Sequence, residues 1–236
     1  MNTIIPEISI QGLFLAFVPT AIAIGIMLHW RSVAGTAIYA TARMLVQLLL
    51  IGYVLIYFFE TDRWSVVVAV LFVMLIVSSW IAIRPLGHRN MRSYLHALGA
   101  ITIGGVLTLG FVTQFVIGVD PWFSPRYMVP LAGMIFAGSM NAVSLAAERF
   151  QAESGRGVSY LEARRTALQA ALIPIINSLF AVGLVALPGM MTGQILSGVS
   201  PVIAAKYQIV VMTMLFGATG ISAAAYLSLQ RNLTTR

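Results

Sequence analysis

Long apolar runs separated by short polar segments fill the chain. They cover residues 8–28, 33–59, 64–83, 94–118, 127–147, 167–187 and 203–229. A helix needs about 20 residues to cross a bilayer, and these runs lack the alternation that is typical of barrel strands. Because backbone groups in hydrocarbon must bond to one another, each run is expected to be helical. The pattern predicts an all-α fold, a polytopic membrane helix bundle of about seven transmembrane helices.

The composition agrees with a membrane protein and leaves no room for a second domain. Of the 236 residues, 59% are hydrophobic and 9% are charged, whereas about a quarter of a soluble domain is charged. Seven spans and their loops use the whole length, so the sequence predicts a single transmembrane domain over residues 1–236. The chain has no cysteine, which excludes disulfides and thiolate metal ligands.

Basic residues divide unequally between the two sets of loops. With the N-terminus outside, ten arginines fall on the cytoplasmic side, against Arg63, Arg126 and Lys206 outside. Lysine and arginine are enriched in cytoplasmic loops, so this division predicts an N-out and C-in orientation. Topology then explains most of the net charge of +7, and nucleic-acid binding is not needed to account for it.

Arg43 lies inside the second run, and Gln47 follows four residues later on the same helix face. An arginine within a span costs about 2.5–3.5 kcal/mol on insertion scales, so it should face the bundle interior, a cavity or a partner. One interpretation places Arg43 and Gln47 on a substrate pathway. In the other, Arg43 extends to the interface or pairs with carbonyls at a helix end.

Polar and small residues also occur in the fifth and sixth runs. Small residues allow close helix packing, and an intramembrane asparagine can bond across an interface. Packing is one reading of these positions, and contact with a substrate is the other. The candidates for substrate contact are Met134, Met140, Asn141 and Asn177.

The longest polar segment, residues 148–166, predicts a structure outside the bilayer. Ser159 and Glu162 have the spacing of a capping box, which predicts a helix that starts there and continues into the sixth run. Such a helix is either a rigid surface element joined to a span or an ordinary solvated loop with a charged helix end.

Residues 187–201 predict a broken-helix connection before the last span. Pro188 and Gly189 end a helix, and Gly193 and Gly198 allow close backbone approach. The segment is apolar, and irregular backbone at membrane depth must be buried in protein or line a cavity. We expect a re-entrant or pore-facing element, with a simple turn as the alternative. Its Met190 and Met191 are further pathway candidates.

No enzyme motif occurs in the sequence. His29, His88 and His96 lack the spacing of metal ligands, and no phosphate-binding loop is present. The sequence therefore predicts no catalytic site and no cofactor in this chain, and it leaves metal ligands unknown. Any ATP must be bound by a partner.

Several blocks of the sequence resemble the FetB family of ABC-transporter permeases, described as iron exporters in bacteria and related to plant proteins of aluminium tolerance. The blocks are Arg43-x-x-x-Gln47, Pro130-Leu-Ala-Gly-Met-Ile135, Ala171-Leu-Ile-Pro-Ile-Ile-Asn-Ser178, Val182-Gly-Leu-Val-Ala-Leu-Pro-Gly-Met-Met-Thr-Gly-Gln-Ile-Leu-Ser-Gly198 and Ala205-Lys-Tyr-Gln-Ile-Val-Val211. Within them, Pro188, Gly189, Gly193 and Gly198 form a specific structural signature.

The resemblance implies a permease for iron export and metal homeostasis in the cell inner membrane. It implies that a FetA-like subunit binds ATP, and that a cytoplasmic coupling segment docks on this subunit. The coupling residues would be Glu153, Gly157, Ser159, Glu162, Arg164 and Arg165. Seven spans are few for a transport pathway, so two copies are expected to form a homodimer.

The cargo and the class of function remain open at this point. The predicted spans contain no acidic residue, and Arg43 is positive, which is unfavourable for a bare cation. A chelated metal, an anion or a nucleotide-sugar-like solute fits this charge better. A non-transporting scaffold or a passive channel is the alternative from another class, and it needs no ATPase.

We predict that reporters fused at Arg236 and inserted at Asp120 lie on opposite sides of the membrane. The basis is the ten-to-three division of basic residues. Alkaline phosphatase, active outside, and a fluorescent protein, active inside, would be measured at each site. The same reporter active at both positions would contradict the orientation.

Overall fold

The structure, a computed structural model, describes residues 8–59, 63–87 and 89–231. Its helices are α1 (Ile10–Leu15), α2 (Val18–His29), α3 (Ala34–Phe59), α4 (Trp64–Ala82), α5 (Met91–Ile101), the π-helix π1 (Thr102–Val106), α6 (Leu107–Phe111), the π-helix π2 (Val112–Ile117), α7 (Pro125–Gly155), α8 (Tyr160–Ala181), α9 (Gly189–Leu196) and α10 (Pro201–Leu229). No strand occurs within these described residues, so the all-α prediction is confirmed.

Six helical segments in the described part of the chain are long and apolar enough to cross a membrane. They are Ile10–His29, Ala34–Gly52, Trp64–Ala82, Met91–Ile117, Pro125–Gly155 and Pro201–Leu229. A seventh long helix, α8, has 22 residues and carries three charged side chains in its first turns. These seven helices agree with the predicted bundle of about seven.

Some helices begin or end at other residues than the predicted apolar runs, because capping residues and turns set these ends. Asn90 caps α5 by accepting a hydrogen bond from the Ser93 amide at 2.7 Å, so this helix starts three residues before the predicted run. The sixth run was predicted to extend to residue 187, but α8 ends at Ala181. Gly183 then adopts a φ of 84° in the turn that follows.

The chain divides into two compact units, Met1–Thr61 and Asp62–Arg236. In the first unit, α2 packs against α3. Ser9 caps α1, the helix is interrupted before Val18, and Arg31 turns the chain with a φ of 53° before α3 begins. The single domain over residues 1–236 stays a prediction.

In the second unit α10 is the central helix. It packs against α5, π1, α7, α8 and α9, and α7 packs in addition against α4 and α8. The largest fully buried apolar side chains belong to these helices and to the end of α4, and they are Ile83, Ile101, Ile135 and Leu227. Their removal from lipid and water leaves a close-packed core between helices.

Close backbone contact at Gly104 sets the position of α10. A Cβ atom on Gly104 would lie 2.6 Å from the Ser222 amide nitrogen and 2.7 Å from the Ala218 carbonyl oxygen, and it would also strike the Ser222 hydroxyl. Only glycine leaves room for such an approach. Small residues at helix interfaces allow this kind of contact in membranes, where the hydrophobic effect does not drive helices together.

Side-chain hydroxyl groups connect the helices of the second unit through backbone carbonyls. Ser139 donates to the Ala218 carbonyl at 3.4 Å, and Ser144 donates to the Ala82 carbonyl at 2.8 Å. These bonds join α7 to α10 and to the end of α4. Each one satisfies a polar side chain without exposing it to lipid.

Gly104→Ala is expected to destabilise the second unit, because an added methyl group must displace the α10 backbone. Overpacking of this kind costs about 1–3 kcal/mol. Gly99→Ala is the control, since a Cβ there meets no atom within 4 Å, and alanine in a helix is favoured over glycine by about 0.5–1 kcal/mol. Thermal unfolding in detergent measures both. Equal Tm values for the two variants would contradict the close contact.

Candidate functional site

A groove along α7 is the first of two adjoining cavities in the second unit. It lies between α7, α8 and α10 and has a volume of about 250 Å³. Its polar wall residues are Asn141, Ser178 and Thr219, and its apolar ones include Met134 and Leu215. A polar lining within predicted spans distinguishes this groove from a surface that contacts only lipid.

The second cavity, which we call the Arg126 cavity, continues from the groove towards the start of α7. It has a volume of about 450 Å³, and Met134 lines both cavities. Residues from the end of π2 and from α7, α9 and α10 form its walls, among them Arg126, Tyr127, Met190, Gln194 and Tyr207. Together the two cavities follow α7 from its first turn to Leu145.

A proline inside a helix lines each cavity. Pro130 in α7 lines the Arg126 cavity, and Pro174 in α8 lines the groove. Proline has no amide hydrogen, so it makes no bond to the carbonyl four residues earlier, and it weakens the helix locally. Such breaks are tolerated in membrane helices where neighbouring groups satisfy the backbone. Both helices can therefore bend beside the cavities.

The pathway candidates in α7, α8 and α9 fall into different places. Met134 and Asn141 line the groove, and Met190 lines the Arg126 cavity. Met191 lines a third cavity of about 330 Å³, together with Gln208 and Met212. Met140 is half-buried and Asn177 is exposed, and neither lines these three cavities.

Arg43 and Gln47 are in contact within the first unit. With the amide of Gln47 oriented to place its oxygen towards Arg43, this oxygen accepts hydrogen bonds from Nη2 at 3.2 Å and from Nε at 3.1 Å. The spacing of four residues thus brings the two side chains together on α3. The pair satisfies part of the guanidinium within an apolar helix, which lowers the cost of keeping a charge there.

Sequence reasoning missed the polar side chains of the Arg126 cavity. Arg126 was counted only as a loop charge, and Tyr127, Gln194 and Tyr207 were not considered. Arg126 and Tyr127 lie in the first turn of a helix, four and three residues before the helix proline Pro130. That proximity is the only signal in the sequence, because the cavity forms from four helical elements that are distant along the chain.

The opposite end of α7 leads into a compact charged turn. Glu153 is only 8% exposed and pairs with Arg149 at 2.7 Å and with Arg156 at 3.4 Å. α7 ends at Gly155, so the first part of the polar segment extends this helix. The carboxylate of Glu153 therefore braces the turn, whereas most other predicted coupling residues face outward.

The other residues predicted to couple to an ATPase are exposed, and we call them the coupling surface after that prediction: Gly157, Ser159, Glu162, Arg164 and Arg165. Gly157 has a φ of 78°, and the Ser159 hydroxyl accepts from the Glu162 amide at 3.4 Å, which caps α8. Tyr160 donates to the Leu227 carbonyl of α10 at 3.0 Å. The coupling surface is thus joined to α7, α8 and α10.

Metal-binding clusters of the usual kind are absent from the described residues. No group of three or more His, Cys, Asp or Glu side chains comes together in residues 8–59, 63–87 and 89–231. A metal ion in either cavity would meet thioethers, amides and hydroxyls, which are weak ligands for hard cations.

The model of the uncharacterised protein family UPF0014 matches residues 10–233 of the chain. A UPF0014 membrane protein of Synechocystis is 34% identical, with 86% of this chain and 84% of that protein covered. The "Probable iron export permease protein FetB" of Escherichia coli is 31% identical over 84% and 82% of the two chains. The "Protein ALUMINUM SENSITIVE 3" of Arabidopsis thaliana is 30% identical over 81% and 74%. No solved structure matches the chain at a significant level.

A cysteine introduced at Met134 should react with a small water-soluble thiol reagent, because this position lines both cavities. Thiolates are the reactive form and need water, so labelling should be about tenfold or more faster than at a dry site. Ile135→Cys is the control, since Ile135 is 0% exposed. The natural chain has no cysteine to interfere. Equal labelling rates at the two positions would contradict a water-filled path.

Proposed function

Because the chain belongs to the UPF0014 family of membrane proteins, we propose that it is the membrane-spanning permease subunit of an ABC transporter. In this proposal it exports a metal such as iron, and a separate FetA-like subunit binds and hydrolyses ATP. The observation that carries the proposal is one helix, α7, that lines both cavities and ends next to the coupling surface. The chain has no ATP-binding motif of its own.

The names of two relatives support a metal as cargo. The relative from Escherichia coli is named a probable iron export permease, and the name of the Arabidopsis thaliana relative refers to aluminium. Both are similar to this chain over about three quarters or more of their length. The first name states iron export, and the second is compatible with metal transport.

The geometry of α7 suggests how docking of the ATP-binding subunit could change the shape of the cavities. α7 has 31 residues and is about 46 Å long at 1.5 Å per residue. The ion pairs of Glu153 hold its last turn, and Pro130 lies near its first turns. A shift at the coupling surface would therefore move the part of α7 that follows Pro130 as a unit and bend the helix at Pro130, beside the Arg126 cavity.

The proposal includes an orientation and an assembly. The coupling surface faces the cytoplasm, where ATP is available, and the Arg126 cavity lies towards the outside of the cell inner membrane. This agrees with the N-out and C-in orientation predicted from charge. Two copies form the transporter as a symmetric homodimer, the usual symmetry of such assemblies.

Gly157→Ala is expected to weaken docking of the ATP-binding subunit. An L-residue in the left-handed conformation costs about 1–2 kcal/mol, a factor of about five to thirty in binding if the docked turn keeps its φ of 78°. Gly155→Ala is the control, because a Cβ at either glycine meets no atom within 4 Å and only Gly157 has a positive φ. Co-purification of the subunit and permease-stimulated ATP hydrolysis measure the effect.

A triple variant makes the test decisive. Gly157→Ala, Glu162→Lys and Arg165→Glu together change the turn and reverse two exposed charges that would guide docking. If this variant stays folded in detergent and retains full binding and stimulated hydrolysis, the coupling role is wrong. Failure of the wild-type chain to bind any ATP-binding subunit would favour a scaffold or a passive channel.

A further inference from the structure

We propose that the Arg126 cavity binds an oxyanionic group, a carboxylate or a phosphate, of a solute or of a lipid headgroup. If the oxyanionic group belongs to the transported solute, the proposal rests on the proposed function, and a metal would then enter the cavity as an anionic complex. Binding of the group itself depends only on residues of the second unit.

The guanidinium of Arg126 has no acidic partner in the described part of the chain. The ion pairs found there join Arg149 and Arg156 to Glu153, at the other end of α7. None of the residues that line the Arg126 cavity is acidic. Arg126 is itself exposed, and a cation on a cavity wall without a counter-charge attracts an anion. The arginine fork matches the geometry of carboxylate and phosphate.

Neutral hydrogen-bond donors line the same cavity. Tyr127 and Tyr207 carry hydroxyl groups, and Gln194 carries an amide whose oxygen is shielded and has no hydrogen-bond partner. Rotation of this amide can present its NH₂ group to a ligand. The floor of the cavity is apolar, with Leu131, Met134 and Val211. The cavity of about 450 Å³ is within the range of small-molecule sites.

The helix starts at this cavity add positive potential. α7, α9 and α10 each contribute residues of their first two turns to its walls: Arg126 and Tyr127, Met190 and Gln194, Ile203 and Tyr207. None of the three helices has a side-chain cap at its N-terminus, whereas Asn90 and Ser159 cap α5 and α8. α7 and α10 begin with a proline, which has no amide hydrogen, so the remaining first-turn amides and the helix dipoles are what favour an anion in the cavity.

Binding by the purified permease, without any ATP-binding subunit, tests the proposal. The probes are inorganic phosphate, citrate and ferric citrate in detergent, measured by calorimetry, with ferrous ion alone as the bare cation. We expect the wild type to bind at least one anionic probe and to bind ferrous ion much more weakly. Arg126→Gln should weaken anion binding about tenfold or more, because a charge-assisted hydrogen bond is lost.

Three further variants locate the effect. Arg126→Lys retains the charge and should restore binding in part, and Tyr207→Phe removes one hydroxyl without removing the ring. Arg63→Gln is the matched control, since Arg63 is an exposed arginine that lines neither the groove nor the Arg126 cavity. It should bind like the wild type. Thermal unfolding in detergent checks that every variant remains folded.

An experiment in lipid nanodiscs distinguishes the two sources of the anionic group, a lipid headgroup and a solute. Nanodiscs of phosphatidylglycerol and of phosphatidylcholine hold the wild type and Arg126→Gln. If the wild type binds citrate more weakly in phosphatidylglycerol than in phosphatidylcholine, and Arg126→Gln removes this difference, the anionic group is a lipid headgroup. If citrate binding is the same in both lipids, the group belongs to a solute. Equal binding by wild type and Arg126→Gln, or no binding of any anionic probe or lipid, overturns the inference. ATPase docking in the same preparation reports separately on the proposed function.

Discussion

The close approach of π1 to α10 at Gly104 determines how the second unit packs. No side chain fits there, because the backbone of Ala218 and Ser222 occupies the space. In a bilayer the hydrophobic effect does not draw helices together, so van der Waals contact between close backbones and bonds such as that of Ser139 to Ala218 hold them. α10 also forms walls of both cavities, so their shape depends on this contact.

The proposed function rests on what this packing places on one helix. α7 has the groove and the Arg126 cavity along its first two thirds and the Glu153 ion pairs in its last turn. Ion pairs of partly exposed arginines contribute little net stability, but the two bonds from Arg149 and Arg156 converge on the buried Glu153 and tie together the turn that leads to the coupling surface. A permease needs this kind of connection, because ATP hydrolysis occurs outside the membrane and transport occurs within it.

The distribution of charge constrains which solutes the cavities can hold. Carboxylates, the usual ligands of hard metal ions, line neither cavity. Arg126 and the starts of three helices without side-chain caps line the Arg126 cavity. Metal-related names among the relatives and a positive cavity are compatible if the metal moves as an anionic complex.

The sequence alone determined the all-α fold and the capping of α8 at Ser159, because span length and capping are local. The prediction that Pro188 and Gly189 end a helix was wrong, since α8 ends at Ala181 and these two residues stand at the start of α9. The sequence also placed Arg43 and Gln47 on one helix face, since they are four residues apart, and the structure adds the hydrogen bonds between them. Only the tertiary structure decided that Met134 lies in a cavity wall while Met140 does not, and that Arg126, Gln194 and Tyr207 line one cavity. Cavities arise where helices from distant parts of the chain fail to fill space, and no local pattern encodes that.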